Sequence, residues 1–562
     1  MAARETIRAL LYRIYGERAG PMACDRIIPL IEKASKRSGA EPAGFRQGQN
    51  VLITYADTLR RRGERPLATL HRFATTFLKG AVSTIHFLPF FPYSSDDGFS
   101  VTDFYRIDDA LGDWTDVVRI GEDFGLMFDF VANHFSAQGK WFDNYLADRP
   151  GFVHFAIEAD PVADLSMVTR PRSLPLLTPF TKVDGRRVHV WTTFSGDQID
   201  FNYKSLDVLE RMIGVLLFYV EKGARILRLD AIAYLWKEIG TPCIHLPQTH
   251  DMVRLFRRVL DEVAPDVMLI TETNVPHEEN ISYFGNGGDE AQMVYNFTLP
   301  PLLFYTFLKQ DCRILSQWAA SLRAPSPATA FFNFTASHDG IGVRPLEGIL
   351  PPPEIDALID AVRTNGGAVS TKQNPDGTLS PYELNITYVD AILANSRSDS
   401  AAKFIASQAA QYSLPGVPAT YVHSLLGSRN WSAGVKQTGL ARTINREKLD
   451  ADQVAAQLRD PASFRARVFS AYLKLMRLWK AQPAFRPGAA FSVLDADPAI
   501  FAVRRAGGGQ VIHALTNVTA MHRTIDLGAF GIARPCRDLV SGRRVEGAWQ
   551  KLAPYQYAWF SA

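Results

Sequence analysis

The stretch GARILRLDAIAYLW, residues 223 to 236, ends an apolar run with an arginine and a carboxylate. Arg228 and Asp230 are two positions apart, so on a β-strand both side chains point to the same side. A neighbouring guanidinium lowers the pKa of a carboxylate and keeps it ionised, which suits a nucleophile that attacks a sugar. A buried structural salt bridge is the alternative interpretation, and this stretch alone does not decide between the two.

Other apolar stretches also end in polar residues, and a set of strands and helices must bring these polar residues to one place. We expect eight strands, separated by helical segments: 50–57, 82–90, 126–136, the stretch that leads to Asp230, 267–274, 292–299, 329–339 and 416–424. Apolar strands that alternate with helices are typical of parallel βαβ units, and eight of them favour a closed (β/α)8 barrel over an open doubly wound sheet. No glycine-rich phosphate fingerprint follows a strand, which weakens the dinucleotide-binding alternative.

The remaining segments interrupt or extend this α/β pattern. We expect a helical extension over residues 1–48 and the TIM barrel over 49–136 and 201–484. An inserted small domain after strand three is expected over 137–200, an active-site lid insertion after strand seven over 340–395, and a C-terminal β domain over 485–562. Pro-rich pieces at 168–180, a turn-rich stretch at 374–385 and short alternating segments after residue 485 indicate these divisions.

Barrel enzymes place their active sites at the carboxyl ends of the strands. The polar residues predicted there are Asp96, Asp97, Asp129, Asn133, His134, Arg228, Asp230, Glu272, His338 and Asp339. Unpaired buried charges are costly, so several carboxylates converging on one face indicate function more than structure. Asp230 and Glu272 on adjacent strands suit retaining glycosyl transfer, which needs a nucleophile and an acid/base about 5 Å apart. A divalent-metal site is the alternative, which Arg228 disfavours by competing as the cation.

Composition limits the classes of partner. The 61 Lys and Arg against 58 Asp and Glu give a net charge of +3 without long runs of one sign, which argues against nucleic acid and anionic membranes as partners. The longest apolar run, residues 212–220, is too short to span a bilayer. Four widely spaced cysteines fit neither a disulfide framework nor a metal site and indicate reduced thiols. We expect a cytoplasmic protein that acts on small molecules; its oligomeric state is not readable from the sequence.

Several motifs resemble a known family. DFVANH, RLDA, ITETN and ASHD, in this order and on the expected strands, are similar to the four sequence regions of the α-amylase clan, glycoside hydrolase family 13. LITYAD, LPFFPYSSDDGFSV, TRPRSLPLLTPF, SHDGIG, LPGVPA and INR resemble its sucrose phosphorylase subfamily, whose members transfer glucose to phosphate. The N-terminal extension, WTTFSGDQIDFNY, TASHDG and LLGSRN most resemble the glucosylglycerate phosphorylases of that subfamily.

The resemblance implies roles for individual residues. Asp230 matches the nucleophile, Glu272 the general acid/base and Asp339 the third carboxylate, which binds sugar hydroxyls. Residues that hold the glucosyl unit match Asp96, His134, Arg228, His338 and Arg446, and the acceptor-site loops correspond to Arg172, Tyr382 and Glu383. Sucrose phosphorylases tend to have glutamine where this chain has Glu383, which argues against a fructose-type acceptor site.

The activity implied is phosphorolysis of a glucosylglycerate to glucose 1-phosphate, with the glucoside and inorganic phosphate as ligands and with no metal or organic cofactor. Phosphate requires a cationic pocket, for which Arg172 and Arg446 are candidates, because guanidinium binds phosphate or carboxylate as a bidentate fork. Either arginine could instead pin a loop to a carboxylate, and the same cations could bind glycerate. A sucrose or sucrose 6-phosphate phosphorylase, a hydrolase or transglucosylase, and a non-catalytic sugar-binding protein are the alternatives.

Overall fold

The computed structural model describes residues 2–37, 41–374, 376–396, 400–495 and 497–562. Its centre is a closed barrel of eight parallel strands, in which each strand pairs with its neighbours in chain order and the eighth pairs with the first. The prediction of a (β/α)8 barrel is therefore confirmed. The barrel strands one to eight are Val51–Thr54, Thr84–Phe87, Gly125–Phe130, Ala224–Leu229, Met268–Thr271, Met293–Tyr295, Ala330–Asn333 and Val417–Tyr421.

Helices cover the outside of the barrel because each has one apolar face. In Pro247–Val263, for example, the buried positions include Met252, Phe256 and Leu260, which follow the helical repeat. The main barrel helices are Pro66–Phe73, Trp114–Asp123, Leu206–Glu221, Pro247–Val263, His277–Ile281, Leu299–Lys309, Arg313–Ser321, Ala401–Ser413 and Phe464–Lys480.

The third predicted strand is shorter than expected. It leaves the barrel after Phe130, and His134–Ser136 forms a separate strand antiparallel to Gln198–Asp200. His134 lies opposite Asp200 in this pair, so the chain begins and closes the inserted segment at one point. Between these two strands lie the helix Lys140–Leu146 and a hairpin of Leu177–Thr181 and Arg187–Trp191.

A buried ion pair joins the inserted segment to the barrel. Lys237, in the loop after barrel strand four, places Nζ 2.5 Å from Asp200 Oδ2, and the two side chains are 2% and 0% exposed. The same ammonium donates to Asn133 Oδ1 at 2.8 Å. Asp200 also accepts hydrogen bonds from the backbone N–H and the hydroxyl of Thr193. One cation thus holds both ends of the inserted segment against the barrel loop.

The segment after barrel strand seven, where the lid was predicted, contains the helix Pro352–Thr364 and a three-stranded sheet. Its strands Ile341–Gly342 and Ala368–Gln373 both pair antiparallel to Leu379–Asn385. Residue 375 of the predicted lid lies outside the described residues. The sheet returns the chain to the barrel mouth at Tyr382 and Glu383.

The C-terminal segment carries a six-stranded sheet, in the order Ala490–Val493, Ile500–Gly507, Gln510–Asn517, Tyr557–Ser561, Cys536–Asp538 and Arg544–Val545. The strands Arg523–Asp526 and Trp549–Leu552 form a second, two-stranded sheet. A sheet domain at this end was predicted from the short alternating segments and is confirmed.

The N-terminal extension is helical from Ala2 to Lys33, with a break at Gly16, whose φ of 71° favours glycine. Helix was predicted as far as residue 48, but residues 41–48 contain no helix, and residues 38–40 lie outside the described part. Proline and glycine at positions 42, 44 and 48 disfavour helix over residues 41–48. The extension is fixed to the barrel where Arg13 Nε donates to Asp251 Oδ2 at 2.6 Å and Tyr15 donates to the Tyr203 carbonyl.

Cys24, Cys243, Cys312 and Cys536 are free thiols, and all four are buried. The helices of the described residues include none that is long and apolar enough to cross a membrane.

Candidate active site

A pocket lies at the carboxyl ends of the barrel strands, where the sequence predicted it. Nine of the eleven predicted site residues line it: Asp96, His134, Arg172, Asp230, Glu272, His338, Asp339, Tyr382 and Glu383. Arg228 and Arg446 are not in its wall but lie behind it, in contact with residues that are. The wall also contains residues that the sequence analysis did not single out, among them Phe99, Phe194, Gln198, Tyr234, Asn274, Phe297 and Arg442.

Arg228 lies under the carboxylates at the end of barrel strand four and is 2% exposed. Its Nη1 donates to Asp230 Oδ1 at 2.7 Å and also to Asp129, and its Nη2 is 3.8 Å from Glu272 Oε2. Asp129 is held on its other side by His86 at 2.8 Å. The salt bridge and the site are therefore not alternatives, because one guanidinium joins a structural carboxylate to the two candidate reactive ones.

The pKa of Asp230 differs from the sequence-based prediction. Burial raises it to about 7, and the charges of Asp129 and Asp339 act in the same direction, so the lowering by Arg228 is outweighed. Burial also raises the pKa of Glu272 to about 7. The charges of Asp230 and Asp339 raise it further, and Arg228 lowers it. Near neutral pH the pair therefore holds about one proton. The direct bond from Arg228 makes Asp230 the ionised member and leaves the proton on Glu272.

Asp339 has the opposite electrostatic environment. Its burial favours the neutral form, but Arg442, His338, Arg446 and Arg228 together outweigh burial and hold the pKa of Asp339 well below its usual range. Arg442 Nη1 lies 2.9 Å from Asp339 Oδ1, and His338 Nε2 lies 3.5 Å from Oδ2. His338 stacks on Phe99 with ring centroids 4.6 Å apart. Asp339 is thus a permanent anion beside a carboxylate pair that shares a proton.

The two other predicted sugar-binding residues on the second and third strand ends have fixed neighbours. His134 donates from Nε2 to the Phe99 carbonyl at 3.0 Å, and burial lowers the pKa of His134 to about 4, so the imidazole is neutral. Asp96 accepts from Gln198 Nε2 at 3.4 Å. Asn133 Nδ2 lies 3.3 Å from His134 Nδ1, so both ring nitrogens of His134 have protein partners, while the Asp96 carboxylate can accept from a ligand hydroxyl.

Arg446 does not fit the role of a free phosphate-binding cation. Its Nη1 is paired with Asp97 Oδ2 at 2.5 Å, and its Nε donates to the His338 carbonyl at 2.8 Å. The alternative that it pins a loop to a carboxylate is the arrangement observed.

Glu383 is also engaged within the protein. It is 1% exposed, and its carboxylate accepts the Gly340 N–H at 2.8 Å and a two-pronged bond from Arg442 at 2.9 and 3.0 Å. Arg442 was missed because its partners lie 59 positions away at Glu383 and 103 away at Asp339. The one available signal was its place four residues before Arg446 in the motif-bearing segment ARTINR.

The far side of the pocket carries groups without protein partners. Arg172 lies with Cζ 5.9 Å from the ring centre of Tyr382 and forms no ion pair with any described residue. The Asn274 Oδ1 atom is buried, and no donor in the described part of the chain reaches it. A cation, an amide and the phenols of Tyr234 and Tyr382 therefore face one space next to Glu272.

Comparison with known proteins supports the class that this geometry suggests. Residues 77–339 match the alpha-amylase catalytic domain. A crystal structure of sucrose 6F-phosphate phosphorylase from Thermoanaerobacter thermosaccharolyticum has the same fold, with a TM-score of 0.76 over 90% of this chain and 99% of that one at 23% identity. The barrel and its mouth of carboxylates are thus of the α-amylase class.

Sequence comparison is more specific. The glucosylglycerate phosphorylase of Spirochaeta thermophila is 48% identical over 92% of this chain and 89% of its own length. The glucosylglycerate phosphorylase of Escherichia coli is 44% identical over 99% of this chain and 100% of its own length. The chain therefore belongs to the family of these phosphorylases, within the sucrose phosphorylase subfamily of glycoside hydrolase family 13.

Proposed function

We propose that this protein is a retaining phosphorylase that reversibly converts 2-O-α-D-glucosyl-D-glycerate and phosphate into α-D-glucose 1-phosphate and D-glycerate. The observation that carries the reaction type is the convergence of Asp230, Glu272 and Asp339 in one pocket, with Arg228 bonded to Asp230 and 3.8 Å from Glu272. The choice of substrate is supported by two glucosylglycerate phosphorylases that match nearly the whole chain.

In the first step Asp230, held ionised by Arg228, attacks the anomeric carbon while Glu272 donates its proton to the glycosidic oxygen. The bond from the anomeric carbon to that oxygen breaks, and glycerate leaves with the proton. A β-glucosyl ester of Asp230 remains. The positive charge that develops on the sugar ring is stabilised by the permanent anion Asp339, a preorganised electrostatic contribution.

In the second step a phosphate oxygen attacks the same carbon from the side that glycerate vacated, and Asp230 leaves as a carboxylate. Two inversions restore the α configuration. Phosphate is already ionised, so it needs no general base to make it nucleophilic, and Glu272 is reprotonated before the next turnover.

Arg172 is our candidate for the cation that receives phosphate. It is the pocket arginine without an ion pair to a described residue, whereas Arg442 is held by Glu383 and Asp339. The same guanidinium would face the carboxylate of glycerate, because phosphate enters the position that glycerate has left. The two anions would then compete, which makes each a competitive inhibitor of the other on the glucosyl-enzyme.

The test is phosphorolysis of a small panel, namely 2-O-α-glucosylglycerate, sucrose and sucrose 6-phosphate, each with and without phosphate. Phosphate-dependent release of glucose 1-phosphate from glucosylglycerate alone is expected. Release from sucrose or its phosphate would move the protein to that specificity, and glucose released without phosphate would make it a hydrolase. An Asp230→Asn variant with near-normal turnover would refute the catalytic assignment.

We further propose a cytoplasmic location, because the four cysteines are buried free thiols and the two proposed ligands, phosphate and a glucoside, are small molecules. Export of the protein would contradict this, and fractionation of cells that express it is the measurement.

A further inference from the structure

Arg442 joins the segment that follows barrel strand seven to the candidate catalytic loop. Its Nε and Nη2 bind the two oxygens of Glu383 at 2.9 and 3.0 Å, while Nη1 lies 2.9 Å from Asp339 Oδ1. All three nitrogens of the guanidinium are therefore used. Because the group is planar and rigid, fixing one edge on Glu383 fixes the direction in which Nη1 points.

Both carboxylate oxygens of Glu383 already accept hydrogen bonds from the protein. Oε1 accepts the Gly340 N–H and one Arg442 prong, and Oε2 accepts the other prong. A Cβ built on Gly340 would be 2.6 Å from Glu383 Cγ, so the carboxylate side chain packs directly on the loop backbone. Glu383 thus lies in the pocket wall, but its carboxylate is bonded to the loop of Asp339 and to Arg442.

The segment that contains Arg442 also holds the backbone around Asp339. Asn445 Nδ2 donates to the Asp339 carbonyl at 2.9 Å and to the Ser337 carbonyl at 3.2 Å. Arg442 and Asn445 belong to one 3₁₀ helix, Ala441–Asn445, which therefore holds both the backbone and the side chain of Asp339.

We propose that Arg442 is a positioning residue for Asp339, and that Glu383 acts on the reaction by anchoring Arg442, not by contacting the acceptor. The inference rests on the proposed function and deepens it, since it moves Glu383 from the acceptor half of the reaction to the glucosyl half. Asp339 serves both chemical steps, so a misplaced Asp339 slows glucosyl transfer whichever acceptor is present.

The two roles for Glu383 are separated by a half-reaction that needs no glycerate. Exchange of labelled phosphate into glucose 1-phosphate uses only formation and breakdown of the glucosyl-enzyme. In Glu383→Gln, which cannot accept two prongs from Arg442, we expect this exchange to slow by about 10- to 100-fold, since misplacement by about 1 Å can reduce the rate about 100-fold. The full reaction should slow by the same factor, with the KM for glycerate changed less than about threefold.

Four further variants make the result specific. Arg442→Lys keeps a positive charge but has no planar fork, and we expect the same equal loss in both reactions. Because Glu383 acts through Arg442, the double variant Glu383→Gln/Arg442→Gln should be no slower than Arg442→Gln alone. Arg459→Gln, an exposed arginine at the end of the helix Ala451–Arg459, is the matched control and should exchange phosphate like the wild type.

A loss confined to the glycerate reaction in Glu383→Gln, with phosphate exchange unchanged, would overturn the inference and return Glu383 to the acceptor site. Additive losses in the double variant would overturn it as well. If Glu383→Gln does not fold, Arg442→Lys alone decides between equal and unequal losses. A wild type that exchanges no phosphate into glucose 1-phosphate would instead refute the proposed function.

Discussion

Replacing Lys237 with methionine removes the cation that joins the inserted segment to the barrel while it keeps a chain of similar length. The lost contacts are those to Asp200 Oδ2 at 2.5 Å and Asn133 Oδ1 at 2.8 Å. Asp200 is fully buried and would keep its bonds to Thr193 but lose its counter-charge. The variant therefore leaves an uncompensated buried carboxylate.

Breaking a buried ion pair from one side destabilises a protein by about 3–5 kcal/mol. At about 1.4 kcal/mol for each factor of ten, opening of the inserted segment becomes more frequent by between about 10² and 10⁴. Because both groups are buried, we expect the destabilisation caused by Lys237→Met to lie in this range. Exposed ion pairs contribute only about 0–1 kcal/mol.

Native-state hydrogen exchange followed by mass spectrometry measures this opening locally, without requiring the whole chain to unfold in one step. The peptides to follow span residues 187–200. The matched control is Lys204→Met, because Lys204 pairs with Glu238 at 2.6 Å but the two side chains are 49% and 54% exposed. We expect less than about fivefold faster exchange in that control.

The reasoning is refuted if Lys237→Met exchanges no faster than Lys204→Met. A second outcome checks the mechanism. Asp200→Asn combined with Lys237→Met removes both charges, and this double variant should recover part of the protection lost in Lys237→Met, because no unpaired charge is left in the interior.

Three further predictions concern the pocket. Arg172→Gln should raise the KM for phosphate about tenfold or more with less change in kcat at saturation, measured by glucose 1-phosphate formation; an unchanged KM would assign phosphate to another residue. In synthesis from glucose 1-phosphate, Asn274→Ala should reduce the preference for glycerate over lactate by about tenfold, because lactate lacks the 3-hydroxyl. An equal loss of rate with both acceptors would indicate a structural role for Asn274. Burial raises the pKa of both Asp230 and Glu272 to about 7, above unfolded values of about 3.9 and 4.3, so the stabilising contribution of the pair is present at low pH and lost as pH rises through 7. Asp230→Asn should therefore gain stability relative to the wild type between pH 4 and pH 8, by urea unfolding, and a constant difference would contradict the pKa.

The sequence predicted the barrel because each strand is a short apolar run and the carboxyl ends of parallel strands meet at one face. That rule was enough to bring Asp230, Glu272 and Asp339 to one pocket from three different strands. It did not predict that the third strand stops at Phe130, because no proline or glycine separates Phe130 from His134–Ser136, which is a separate strand through its pairing with residues 198–200. The absence of helix over residues 41–48 could have been predicted from Pro42, Gly44 and Gly48.

Local sequence could not reveal partnerships that span the chain. Arg442 lies in the segment after barrel strand eight and Glu383 in the segment after strand seven, so their bond depends on how the latter folds back. The net pKa of Asp230 was predicted in the wrong direction for a related reason. The neighbour Arg228 is visible in the sequence, but the depth of burial and the charges of Asp129 and Asp339 follow from tertiary structure.

The burial of all four thiols has a practical consequence for probe chemistry. Burial raises the pKa of Cys24, Cys312 and Cys536, that of Cys312 to about 12, so their thiolates are scarce at neutral pH as well as inaccessible. A cysteine introduced at Leu379, which is 61% exposed at the start of the strand Leu379–Asn385, would react with a maleimide dye long before the native four. A fluorophore could thus report on the segment that carries Glu383 in the native-thiol background, with no prior removal of cysteines from the core.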